Sequence, residues 1–165
     1  MSYKLAQTAD AVGMNARTLS DWLDRGIIPA PRSGKGNHRA FGIRDVDRIA
    51  IVHELTRIGL PVAEAAKAAS VFSDERSKYR PRAQLHQEGK TFLVIDSDCA
   101  RVVNAHTREE FESLMAGMFS RDHGVVALNV NTVVAQVDAA LASGGSAPKL
   151  PAGALYRNGK KLHVG

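Results

Sequence analysis

Two short helix patterns split by a tight glycine turn are followed by a basic, glycine-rich hairpin. Further on, strand and helix patterns alternate. Together these predict a mainly α N-terminal winged helix-turn-helix plus a small α+β C-terminal domain. The expected division is residues 1–72 for the first unit and 73–90 for a charged linker. Residues 91–142 form the α+β unit, and 143–165 a flexible joint with a basic hairpin tail.

The elements follow from local chemistry. Ala6 to Val12 suits a first helix, and Gly13 supplies a turn that needs positive φ. Asn15 is a good N-cap for a second helix, whose Ala16, Leu19 and Leu23 fall on one face. Gly26 stands where that helix should stop, and Pro29 prevents continuation. Ile27 and Ile28 are expected to open a short strand. Ser33-Gly34-Lys35-Gly36-Asn37 is a hairpin tip, with His38 to Phe41 returning as the second strand. A third helix should open near Ile43 with Asp45 in its first turn, and Val46, Ile49, Ala50 and Val52 give it a broad apolar face. Gly59-Leu60-Pro61 ends it, and Ala63 to Phe72 forms a fourth helix.

The second half begins after a charged stretch broken by Pro81. Thr91 to Ile95 and Arg101 to Ala105 alternate as strands, with Asp96-Ser97-Asp98-Cys99 as the turn between them. Thr107-Arg108-Glu109-Glu110 has the form of a capping box. Phe111, Leu114, Met115 and Met118 then line one helix face. Gly124 to Val130 is a third strand. Asn131 is the expected cap of a last helix carrying Val133, Val137 and Leu141. Leu155 to Leu162, with Asn158-Gly159 at its centre, signals a hairpin.

Composition narrows the function. Net charge is +5, spread unevenly: +3 over residues 1–72, +2 over 73–92, −4 over 93–142 and +4 from Ser143 onward. The front and the tail suit a polyanion, whereas the acidic segment repels one and points to another task. The single cysteine, Cys99, excludes a disulfide framework or a thiolate metal site within one chain. His53, His86, His106, His123 and His163 show no metal-ligand spacing, and Gly34-Lys35-Gly36 is too short for a phosphate loop. No catalytic residue, cofactor or metal is expected. The start lacks the apolar core of a signal peptide, and no run approaches the roughly 18 apolar residues of a membrane span. A cytoplasmic protein without membrane contact is the expectation.

Several residues in order carry a resemblance. Tyr3-Lys4-Leu5, Ala9 with Gly13, Thr18-Leu19, Trp22, Gly26-Ile27-Ile28, Pro31-Arg32, His38-Arg39-Ala40-Phe41, Asp45-Val46 and Gly59-Leu60 together resemble the DNA-binding domain of the MerR family of transcription regulators. The likeness covers roughly residues 3 to 70. It implies that the second helix enters the major groove and that the wing grips the backbone. The chain departs from the family at Ser20, where an arginine is usual, and at Asp21, where an aromatic is frequent. The family's long dimerisation helix is also interrupted here by Pro81 and its charged neighbours.

The candidate DNA-contact set is therefore Arg17, Thr18, Asp21 and Trp22 on the second helix, Arg32, Lys35, His38 and Arg39 on the wing, and Arg44 just beyond. Arginine can fork onto guanine, and threonine can meet a base or a phosphate. Trp22 can lie on the sugar–phosphate backbone or fill the core between helix and wing. Arg76, Lys78, Arg80 and Arg82 read first as solvation of a linker, with DNA contact as the other use. Arg157, Lys160 and Lys161 offer an auxiliary contact.

The expected function is sequence-specific binding of double-stranded DNA by a homodimer on an inverted repeat. The α+β unit would dimerise, bind a protein partner or sense a small ligand. Protein cut after Phe72 is expected to keep weak DNA affinity. Two rivals remain open: an architectural recombination directionality factor of the excisionase kind, and an interaction adaptor that has lost DNA binding.

Overall fold

A computed structural model describes residues 2–29, 39–76, 78–96, 99–118, 124–144, 154–157 and 160–162. The chain starts with α1 (Leu5–Val12), whose entry is fixed by the Lys4 N–H donating to Gln7 Oε1 at 2.9 Å. Gly13 takes φ 74°, and the Met14 N–H returns to the Ala9 carbonyl at 3.0 Å. Next comes α2 (Ala16–Asp24), where Asn15 Oδ1 accepts from the Arg17 N–H at 2.8 Å, as expected of an N-cap.

The strand expected at Ile27 and Ile28 does not form. Gly26, at φ 68°, turns the chain back on α2, and the N–H groups of both isoleucines point at the Trp22 carbonyl, at 2.9 and 3.5 Å. Donors committed to capping a helix are not available to a ladder. Phe41, the last residue of the expected return strand, bridges Tyr3 through two 2.9 Å hydrogen bonds, while the expected hairpin tip lies outside the described residues.

Helix α3 (Ile43–Arg57) opens with the Gly42 N–H donating to Asp45 Oδ2 at 2.8 Å. It buries Val46, Ile49, Ala50, Ile51, Val52 and Leu55. Helix α4 (Val62–Asp74) lies along it, presenting Ala65, Ala66, Ala68, Ala69 and Phe72. Alanines at the contact let the two backbones come close without creating voids.

Strands β1 (Lys90–Ile95) and β2 (Ala100–Ala105) form a hairpin closed by the expected turn, in which the Asp96 N–H meets the Cys99 carbonyl at 3.0 Å. Helix α5 (Arg108–Met118) follows, with Thr107 Oγ1 accepting from the Glu110 N–H at 3.1 Å. Strand β3 (Val125–Asn129) runs directly into α6 (Val130–Ser143). The cap of α6 is Asn129, two residues before the expected Asn131. Asn131 Oδ1 is occupied elsewhere, accepting the Thr91 N–H at 2.6 Å and so tying α6 to β1. Strands β4 (Ala154–Arg157) and β5 (Lys160–Leu162) complete an antiparallel sheet of order β2-β1-β3-β4-β5.

The period-two alternation of β1, β2 and β3 buries side chains on both of their faces. Leu93, Val126 and Leu128 point to the helices of the first half, together with half-buried Val102. Phe92, Val94, Val103, Val125 and Ala127 point the other way, against Phe111, Leu114, Met115 and Met118. Helix α6 packs on α1 and α3 as well as on β1. The larger group of buried side chains consequently runs without a break from Ala9 to Ala140.

The charged stretch after α4 has no regular element but is firmly tied. Helix α4 ends without a glycine cap, since Glu75 is extended at φ −83°. Its last carbonyls are satisfied by Arg80, which folds back and is only 2% exposed. Nη1 donates to the carbonyls of Phe72 (2.8 Å), Gln84 (3.1 Å) and Pro81 (3.3 Å). Nη2 reaches those of Val71 and Glu75 at 3.4 Å. The guanidinium also stands 4.8 Å from the Phe72 ring centre. Neither solvation nor DNA contact describes Arg80; it is a helix cap supplied from six residues downstream.

Candidate nucleic-acid interface

Helix α2 turns Leu19, Trp22 and Leu23 inward and leaves Arg17, Thr18 and Asp21 exposed. The inward side is fixed by packing and the N-terminus by the Asn15 cap, so the outward side chains start from a rigid rod. Trp22 is 7% exposed and belongs to the core. Of the two uses expected for Trp22, filling the core is the one its burial among Leu19, Ile28 and their neighbours supports.

The acidic side chains of α2 are each engaged by an arginine. Asp21 Oδ2 lies 3.3 Å from Arg25 Nη1, one turn along the helix. Asp24 Oδ1 accepts from Arg39 Nη2 at 2.6 Å, and Asp24 Oδ2 accepts from the Ser20 hydroxyl at 3.2 Å. The hydrogen bond from Arg39 holds the Asp24 carboxyl below the usual carboxylate range. In return Asp24 pins Arg39 to the end of α2. Arg39 is 29% exposed and uses one of its five donors on Asp24, so the guanidinium is oriented while most of its fork remains open.

Arg17 and Arg44 are exposed, and their side chains have no hydrogen-bond or ion-pair partner among the described residues. Arg44 sits in the first turn of α3, five positions beyond Arg39. Arg32, Lys35 and His38 lie outside the described residues. The structure thus brings Arg17, Thr18 and Asp21 onto one helix face and fixes Arg39 at its end.

Sequence reasoning missed Asp24 altogether. Its role depends on a partner fifteen residues away, which no local pattern reveals. Among the described residues no group of His, Cys, Asp and Glu could hold a metal ion. His53 and His86 are both shifted toward the neutral form, in each case chiefly by burial. Among the described residues, no helix is long and apolar enough to cross a membrane.

The family model for the MerR HTH family regulatory protein matches residues 3–70, which is the stretch holding α1 to α3, Arg39 and most of α4. Over those residues the chain is similar to a MerR-family helix-turn-helix domain. Among curated proteins, the mercuric resistance operon regulatory protein of Bacillus cereus is 25% identical over 80 residues, which is 48% of this chain and 61% of the relative. The HTH-type transcriptional activator TipA of Streptomyces coelicolor is 33% identical over 89 residues, 53% of this chain and 33% of the relative. The TipA of Streptomyces lividans matches to the same extent. The chain therefore spans between a third and three-fifths of the length of these MerR-type relatives. Their names describe regulators rather than enzymes. The sheet, α5 and α6 lie beyond the matched MerR region.

Proposed function

We propose that this protein is a sequence-specific transcription regulator that reads duplex DNA with α2. The observation that carries the reading is the geometry of α2. Arg17 and Thr18 stand free on a capped, core-anchored helix, and Arg39 is fixed at its far end by Asp24. Arg17 can fork onto the edge of a guanine, while Arg39 and the wing hold the phosphates that set the register. Asp21, paired with Arg25, adds a negative group beside the groove and disfavours misplaced phosphates. The relatives' names supply the regulatory half of the reading.

The protein acts as a homodimer on an inverted repeat in the cytoplasm, with the α+β unit supplying the second copy's docking surface. No catalytic step and no cofactor belong to this reading. The test is selection of bound duplexes from a random pool with the full chain, followed by salt titration of the winner. Arg39→Ala should weaken all duplexes alike, and Arg17→Ala should alter preference at particular bases. Enriched duplexes should carry two inverted half-sites. A pool that enriches nothing at low salt rejects DNA reading, and enrichment of single half-sites rejects the dimer.

A further inference from the structure

The segment after α4 builds most of a second cationic feature, beyond the matched residues except for Arg44. A cleft of about 730 Å³ is lined by Arg44 from the start of α3 and by Arg76, Lys78, Tyr79 and Arg82 from the segment beyond α4. No carboxylate is among its lining residues. Arg44, Arg76 and Arg82 are exposed and make no side-chain hydrogen bond or ion pair with another described residue. Lys78 lies 5.6 Å from the centre of the Tyr79 ring, which is 75% exposed although it is a large aromatic.

Like charges held together without counter-ions repel, so something must keep them in place. Arg80 does so, locking the backbone on both sides of itself through carbonyls from Val71 to Gln84. The outward cations therefore sit on a fixed frame rather than a free tail. A second tie, Arg48 Nη2 to Asp74 Oδ2 at 3.0 Å, joins α3 to the end of α4 one turn beyond Arg44. Arg44 is also five residues from Arg39 in the chain. The cleft thus takes one of its cations, Arg44, from the helix that follows Arg39 in the chain.

We propose that this cleft is a binding site for phosphodiester groups of the DNA backbone, extending the duplex contact outward from the helix-turn-helix. The inference rests on the reading of α2 as a DNA reader. Its polar, cationic lining suits a strand of phosphates better than an apolar effector, since small-molecule pockets are lined mostly by hydrophobic side chains. The cations neutralise phosphate.

The test uses the full chain and a duplex enriched from the random pool, in a long form and in a form trimmed on both flanks. The combined variant Arg44→Ala, Arg76→Ala, Arg82→Ala is compared with the wild type, and thermal unfolding checks that it is folded. The wild type should prefer the long duplex by roughly tenfold, and the variant should bind both forms alike. Its log K against log salt slope should be flatter by about 3. Single Arg→Glu variants should each lower long-duplex affinity further than the matching Ala variant.

Equal affinities and slopes for wild type and variant, with Arg17→Ala still altering base preference, overturn the cleft proposal and leave the α2 reading standing. Absence of any duplex binding by the wild type overturns both. Saturable binding of a free nucleoside triphosphate that the variant loses, with duplex affinity unchanged, assigns the cleft to a small phosphorylated ligand and overturns the proposal.

Discussion

Asp47 offers the sharpest test of how the two halves are joined. It lies on α3, is 6% exposed, and its Oδ1 has no hydrogen-bond partner. Burial raises its carboxyl from 3.8 to about 7, and the charge of Asp138 on α6 adds to the effect. A carboxyl that binds its proton more tightly folded than unfolded favours the fold at low pH. That stability is fully present below the unfolded value and is lost as pH rises through the folded one. At about 1.4 kcal/mol for each tenfold change in proton affinity, ionised Asp47 costs the fold about 4 kcal/mol at pH 8. At pH 4 the cost is under about 1 kcal/mol by the same linkage. Asp47→Asn keeps the shape and removes the charge. Urea unfolding should find the variant more stable by about 2–4 kcal/mol at pH 8, with the buried amide's own desolvation reducing the gain, and nearly equal to wild type at pH 4. Asp138→Asn, at an exposed site, should give a smaller gain with the same sign. A variant no more stable than wild type at pH 8, or a gain independent of pH, would refute a buried, ionisable Asp47.

Other perturbations probe the local devices. Arg80→Ala should cost about 3 kcal/mol or more, because the α4 carbonyls lose a buried charged donor; Arg80→Lys should recover less than half of that in urea unfolding, since a point ammonium cannot span acceptors from Val71 to Gln84. Asn15→Ala should cost about 1 kcal/mol in thermal unfolding, and Asn15→Asp should be close to neutral. A chain cut after Phe72 should lose its cooperative calorimetric transition, because α6 no longer covers α1 and α3; a sharp transition in that fragment would show that the front helices hold alone.

The order of elements was legible because each rests on a local cause. Gly13, Asn15 and Gly26 mark ends that the backbone needs whatever lies around them. Phe111, Leu114, Met115 and Met118 announce their shared face through spacing alone. The failures came where a local choice was decided from a distance. Asn131 and Asn129 are equally good caps by type, and only the Thr91 N–H, forty residues away, settles which is free to cap α6. Ile27 and Ile28 have strand propensity, yet the Trp22 carbonyl takes their donors. Arg80 sits in a run of exposed cations and looks like them; its burial follows from α4 ending without a glycine, which is a fact about α4 rather than about Arg80. At the interface the same division holds. That Arg17 and Thr18 are exposed on α2 followed from helical phase, whereas the Asp24–Arg39 pair needed the fold.

The position of α6 also bears on how the helix-turn-helix face is held. Helix α2 is held by α1, and both α1 and α3 lie under α6. Val133, Val137 and Ala140 fill that contact, and two buried valines contribute about 3–6 kcal/mol. Ionised Asp47 opposes them with about 4 kcal/mol in the same contact. This packing couples the face that carries Arg17 to the sheet directly, from β1 through α6 to α1 and then α2. Strain or stabilisation at the sheet reaches the α2 face along that path, since packed elements cannot move without displacing their neighbours.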